Sequence, residues 1–316
     1  MEELFRLIKE LKNIRNVPQL LYYDAIYPDG WIKLREEILL FKRVNSSLKE
    51  IDIILSSPGG TPDDAYRIIR TLRHNFDTVN IVIPFWAKSG ATLLGLGASQ
   101  IIMDEAAEFG PIDIQVPKEK EDSPGFDFES ALNDETSLKL IEDRAIRLFR
   151  TMYVDFFKSN VIRLNKSDLS KQLLRYICNF YEPLLEQINP YKLGEKKRKS
   201  DISVAYAQRI LVQYNNIDKN TRNNLVDYLV TACPEHGYVI DYKLMSLFLP
   251  NVKQSKDFGS DYEQKLTELS LYFIKDDSED KYIGFVPKLD TIEEVKQDTE
   301  KVIEYEIGSK ITKLKT

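Results

Sequence analysis

"IDIILSSPGGTPDDA", Ile51 to Ala65, passes from an unbroken apolar, β-branched run through a Pro-Gly-Gly turn into a segment that opens a helix. A continuous apolar run bounded by turn residues reads as a strand buried on both faces, the signature of a parallel sheet covered by helices. The pattern recurs. "VNIVIPFWA" from Val79 is again β-branched, runs into the helix-compatible "GATLLGLGA", and leads at short range to "QIIMD", Gln100 to Asp104. The order is strand, helix, strand, helix, strand, with right-handed crossovers expected between parallel neighbours. The fold class is α/β.

Around this centre the sequence changes character. "MEELFRLIKELKNIR" at the start sets Leu4, Ile8 and Leu11 on one stripe, an amphipathic helix that packs on the body or on another subunit. After Gly110, residues 117–130 are polar with two prolines and a glycine, and read as a surface loop. From Asn133 the period is helical, with cap candidates at Asn133 or Asp134, then at Ser167 or Asp168, and a third helical stretch from near Asp201. The basic run "KKRK" at 196–199 reads as a solvated helix approach rather than an import signal or an anion site. From about Lys256 the chain is charged and less periodic. A hairpin is expected in "LYFIKDDSEDKYIGFV", 271–286, where two aromatic-rich runs flank an acidic turn.

Composition narrows the function classes. With 316 residues, 43% of them hydrophobic, the chain can bury one sizeable core or two modest ones. A net charge of −6 with interspersed signs argues against a nucleic-acid partner. The longest strongly apolar stretch, Gly90 to Ala98, is far shorter than the roughly 20 residues of a membrane-spanning helix, and no signal-peptide pattern opens the chain. A soluble, cytoplasmic protein is expected. Cys178 and Cys233 lack CxxC spacing and read as two reduced thiols, so neither a metal site nor a cofactor is expected. His74 and His236 are the only histidines, which limits the available catalytic machinery.

Two turns carry candidate chemistry. Gly59 and Gly60 at a strand end permit positive φ and close backbone approach, and the helix that starts at Pro62 favours negative charge at its N-terminus. These features suit half of an oxyanion hole, although many α/β turns hold two glycines for steric reasons alone. Ser89 lies between the strand ending near Phe85 and a helix from Gly90, at the sheet edge where α/β folds place ligands. The alternative is an ordinary N-cap serine.

"SSPGG" followed by "AKSGATLLGLGASQIIMDEAAEFGPIDIQ" resembles the serine dehydrogenase proteinase family, relatives of signal peptide peptidase A and the Clp protease catalytic subunits within the Clp/crotonase fold. "NPYKLGEKKRKSDISVAYAQRIL" and "HGYVIDYKLMSLFLPNV" extend the likeness to about residue 255. The resemblance implies a spiral of β-β-α units, a nucleophile at Ser89, an oxyanion hole from Gly59, Gly60 and the Gly90 amide, a peptide or unfolded-protein substrate, and a homo-oligomer. It divides the chain into an N-terminal helix (1–19), a peptidase domain (20–255, helical over about 133–230) and a small C-terminal extension (256–316) of unassigned role.

The general base is the open position. Clp peptidases carry a histidine in the stretch corresponding to Asp104–Ser130, which contains none here. Signal peptide peptidase relatives use a lysine on a following helix, and Lys139 is the lysine on a predicted helix close to that position. A lysine base must be neutral, so from a reference pKa of about 10.4 it needs an apolar setting; Leu138, Leu140 and Ile141 flank Lys139, in a sequence that also fits a helix with its lysine in water. The expected type is Ser–Lys. His236 in "PEHGYVID", Lys88 beside the nucleophile and Asp113 in "EFGPID" are reserve candidates; His74 reads as a surface histidine at a helix end. Two other readings stand beside an ATP-independent serine peptidase: a catalytically silent peptide-binding or scaffold subunit, and an acyl-CoA enzyme of crotonase type, for which no acidic catalytic pair is apparent.

Overall fold

The computed structural model describes residues 1–113, 115–119, 126–130, 133–158, 165–276 and 281–286. They form two compact units, Met1–Phe109 together with the chain from Val239, and Gly110–Tyr238. Among the described residues, the helices at 2–15 and 260–275 share one core in the first unit.

The first unit opens with α1 (Glu2–Arg15), β1 (Gln19–Tyr23), α2 (Pro28–Val44), β2 (Glu50–Ser56), α3 (Pro62–Asn75), β3 (Thr78–Ile83), β4 (Trp86–Ala87), α4 (Gly90–Leu96), β5 (Gln100–Met103) and β6 (Glu108–Phe109). The second unit holds β7 (Gln115–Glu119), β8 (Phe126–Ser130), α5 (Asn133–Lys158), α6 (Lys166–Leu185), α7 (Pro190–Tyr214), α8 (Lys219–Asp227) and a π-helical turn, Tyr228–Ala232. The chain then returns to the first unit with α9 (Tyr242–Ser246), β9 (Val252–Gln254), α10 (Ser260–Lys275) and β10 (Tyr282–Phe285).

The main sheet runs β10-β1-β2-β3-β5-β9. β1, β2, β3, β5 and β9 are parallel, and β10 closes the edge antiparallel to β1. Pro84 and Phe85 then take the chain out of this sheet, and β4 pairs in parallel with β6 in a second short ladder, Trp86 opposite Glu108 and Ala87 opposite Phe109. Proline supplies no amide to a ladder, which favours the break at this point. A long strand, a short strand in a second ladder and a helix thus follow one another at β3-β4-α4, a β-β-α unit of the kind the sequence resemblance implies.

Side-chain alternation sorts the sheet into two faces. Leu21, Ile54, Val82 and Ile102, one from each of four strands, meet Leu4, Leu7, Ile8 and Leu11 of α1 and Tyr262, Leu266, Leu269 and Phe273 of α10. Full burial of each aliphatic side chain contributes about 1.5–3 kcal/mol, so α1 is a core helix of the body. α2 and α3 bury Leu34, Ile38, Ile68, Ile69 and Leu72. Asp52 stands in the middle of β2 with no exposure. Its carboxylate accepts from Arg15 Nε at 2.6 Å, Arg15 Nη2 at 3.0 Å and Asn80 Nδ2 at 2.8 Å, which satisfies the buried charge and ties the end of α1 to the sheet.

Two sequence expectations need correction. "LYFIK" is the last turn and a half of α10 rather than a hairpin strand, because Leu269 and Phe273 continue the buried stripe of Tyr262 and Leu266 at helical spacing; only "YIGF" is a strand, and it pairs with β1. The stretch 117–130 is not all loop: β7 and β8 pair antiparallel, with Pro117 opposite Phe128 in a two-stranded ladder where a missing amide is tolerated.

In the second unit α6 buries Leu169, Leu173 and Ile177, and its cap is Asn165, whose side chain accepts from Asp168 N at 2.8 Å. α7 begins at Pro190 rather than near Asp201, since Asn189 caps it and proline suits the first helical position. The basic run lies on α7 in ion pairs, Lys196 with Asp134 at 2.9 Å and Lys199 with Glu195 at 2.9 Å. Among the described residues, no helix is long and apolar enough to cross a membrane.

Candidate active site

In the first unit, the chain beyond β2 and the chain beyond β4 run side by side. Ser57 N donates to Trp86 O at 3.2 Å, and Lys88 N donates to Ser57 O at 3.0 Å. Each segment then turns into a helix. The first turn uses Gly59 at φ 97° and Gly60 at φ 150°, and is strapped to Ile26, whose amide donates to Gly59 O at 2.7 Å and whose carbonyl accepts from Thr61 N at 3.0 Å. Thr61 caps α3 and Pro62 opens it, so the sequence rules for a helix start are all met.

The second turn carries Ser89 at φ 51°, ψ −118°. A non-glycine residue in this region costs about 1–3 kcal/mol and persists only where its surroundings hold it, a strain concentrated at functional sites. A serine on a sharp strand-to-helix turn is the arrangement that presents a nucleophilic hydroxyl. Ser89 is half-buried and makes no capping hydrogen bond to α4, so the N-cap reading does not account for it. The helix closes without the hydroxyl: Ala91 N and Thr92 N donate to Lys88 O and Ser89 O, each at 2.9 Å. The Thr92 hydroxyl donates to Ala87 O at 3.0 Å.

The two turns touch. A Cβ placed on Gly59 would lie 2.7 Å from Ser89 Cβ and 2.9 Å from Gly90 N, and one on Gly90 would lie 2.8 Å from Gly60 O. Both turns therefore need glycine to approach this closely. One sequence expectation changes: the Gly59 amide donates to Ser57 Oγ at 3.1 Å, so it is not a free oxyanion donor. Among the described residues, the Gly60 and Gly90 amides have no protein acceptor. Lys88 does not accompany them. Its ammonium lies 2.7 Å from Glu108 Oε1 and 3.4 Å from Phe109 O, held as a charged partner of β6.

The second unit brings together two reserve candidates. His236 Nδ1 lies 2.7 Å from Asp113 Oδ1; the carboxyl is 7% exposed and the imidazole 30%. Facing a carboxylate, Nδ1 donates to it. The two residues are 123 positions apart in the chain. The sequence signal was that His236 is the one histidine in a family-like segment, as Asp113 is in another, but nothing in it joined them. Lys139 is exposed on α5, a helix with no fully buried residue among those described. His74 is exposed in the last turn of α3. Among the described residues, no group of three or more His, Cys, Asp or Glu side chains is placed to hold a metal ion.

An uncharacterized protein of Methanocaldococcus jannaschii is 27% identical over 259 residues, covering 79% of each chain. A second uncharacterized protein of that organism is 36% identical over 91 residues, 29% of this chain and 31% of its own. A solved structure of a membrane-bound stomatin-specific protease aligns with a TM-score of 0.42 at 12% identity, over 75% of this chain and 77% of that one. Residues 24–181, which include both turns and Asp113, match the family of ClpP-like SDH-type serine proteinases, and the chain belongs to that family.

Proposed function

We propose that this protein is a serine peptidase that cleaves peptide bonds through an acyl-enzyme on Ser89. The observation that carries the reading is the strained Ser89 turn packed against a glycine turn, with two backbone amides lacking protein acceptors beside it. Ser89 Oγ attacks the carbonyl carbon, and the Gly60 and Gly90 amides receive the oxyanion, each such donor lowering the barrier by about 2.7–4 kcal/mol. Gly59 supplies the backbone reversal. A general base takes the Ser89 proton and returns it to the leaving amine, and water then releases the acyl group by the same base. Lys139 and His236 are the candidates for it; Lys139 is exposed and lacks the apolar setting that a neutral lysine needs, and His236 is paired with Asp113. Flexible peptide or unfolded protein is the substrate in this proposal, with no cofactor and no ATP, and the working form is a soluble, cytoplasmic homo-oligomer.

Fluorophosphonate labelling tests the assignment. Wild type is expected to label and Ser89→Ala not at all. The substitution that slows acylation by at least about a hundredfold, His236→Ala with Asp113→Asn or Lys139→Ala, identifies the base. No labelling of folded wild type would favour the silent peptide-binding subunit.

A further inference from the structure

Residue 88, which leads into the Ser89 turn, is anchored through its backbone and again through its side chain. Lys88 N donates to Ser57 O at 3.0 Å, and Lys88 O accepts from Ala91 N at 2.9 Å. Lys88 Nζ lies 2.7 Å from Glu108 Oε1 and donates to Phe109 O at 3.4 Å. Both charged side chains are largely covered, the lysine at 12% exposure and the glutamate at 19%. Glu108 is placed by β6, where its amide donates to Phe85 O at 2.7 Å and its Cα stands opposite Trp86. The β4–β6 ladder ends one pair later, at Ala87 and Phe109, so the ion pair spans the point where the chain leaves the ladder for Ser89. All of these residues belong to the first unit.

The backbone at Ser89 needs such support, because φ 51° with ψ −118° persists only where the neighbours hold it. On the far side, Gly90 lies against Gly60, and Thr92 ties back to Ala87 O and Ser89 O through its hydroxyl and amide. On the near side, Ser57 O grips residue 88 from the β2 extension and Glu108 grips it from β6. We propose that the Lys88–Glu108 ion pair locks the Ser89 turn in its strained form, making both side chains positioning residues for the Ser89 hydroxyl. The inference rests on the reading of Ser89 as the nucleophile. Lys88 acts through the turn: its ammonium is engaged by the carboxylate and serves neither as base nor as substrate contact.

Lys88→Met and Glu108→Gln each remove one charge and keep the length of the side chain. In the full-length protein, each is expected to lower the limiting rate of fluorophosphonate acylation about tenfold with the half-saturating probe concentration unchanged, because a turn released from the pair occupies the strained form only part of the time. Lys88→Arg keeps the pair and should stay within about twofold of wild type. The double variant Lys88→Met/Glu108→Gln should lose no more than either single one, since the two groups act as a unit, and it leaves no charge uncompensated if a single variant does not fold. A wild-type rate in the double variant would overturn the lock, as would Lys88→Arg as slow as Lys88→Met. Slow Lys88→Met beside an unaffected Glu108→Gln would also overturn it, by giving the lysine a role of its own. If Ser89→Ala labels like wild type, the nucleophile reading fails and the lock with it; if Ser89→Ala is silent and the pair variants label like wild type, the lock alone fails.

Discussion

Gly90→Ala tests the contact between the two turns with one methyl group. Gly90 does not have the positive φ of Gly59 and Gly60, so alanine is compatible with its own backbone. The obstruction is external: the new Cβ would sit 2.8 Å from Gly60 O and 3.2 Å from Gly60 N. That is about 0.6 Å short of ordinary van der Waals contact, and the obstacle is backbone strapped to Ile26, with little freedom to yield. The turns must separate by roughly that amount, which stretches a 2.9 Å hydrogen bond toward 3.5 Å and removes most of its value. Loss of one oxyanion donor is worth about 10²–10³ in rate. Gly90→Ala should therefore acylate with fluorophosphonate about 10²–10³ times more slowly than wild type, while overpacking costs about 1–3 kcal/mol of stability. The matched control is Gly194→Ala on α7, where a Cβ meets nothing within 4 Å and both rate and fold should be kept. Folded Gly90→Ala acylating at the wild-type rate would refute the claim that these amides receive the oxyanion.

Two further outcomes follow from buried polar groups. Asp52→Ala removes both short hydrogen bonds of Arg15, whose side chain is only 11% exposed and keeps Glu50 at 3.8 Å as its remaining carboxylate, and should cost about 3 kcal/mol; urea unfolding followed by Trp31 and Trp86 fluorescence measures it, both tryptophans lying in the first unit, and an unchanged midpoint would show the pair to be dispensable. Cys233 is a thiol pushed up to about 11, by burial first and the Asp113 charge second, against an ordinary 9.0. It stays protonated in the fold through pH 8, with about a hundredfold less thiolate than an ordinary cysteine, so iodoacetamide should label the exposed Cys178 first. Because its folded value is raised, the stability Cys233 contributes is complete below pH 9 and is lost as pH rises toward 11. Peptide mapping at pH 8 and pH 10 reads the order, and equal labelling of both cysteines at pH 8 would contradict it.

Most of the parallel sheet was legible because β2, β3 and β5 are buried on both faces, so their apolar runs are unbroken. The first turn was legible because positive φ at Gly59 and Gly60 leaves a compositional trace, whereas the positive φ of Ser89 leaves none. What failed were contacts of long sequence separation. The local pattern around β10 reads as half of a hairpin, whereas its partner β1 lies more than 250 residues earlier. The Asp113–His236 pair left no local trace, because neither residue's neighbours encode the other.

The residue types at each turn, the helical and strand periods and the family likeness were in the sequence by itself, since steric and periodic rules act over a few neighbouring positions. Which amides lack a partner, that Gly59 spends its own on Ser57 and that Asp113 holds His236 were decided only by tertiary structure. Hydrogen-bond partners are chosen by distance in space, and in a chain this long distance in space is set by the packing of the whole.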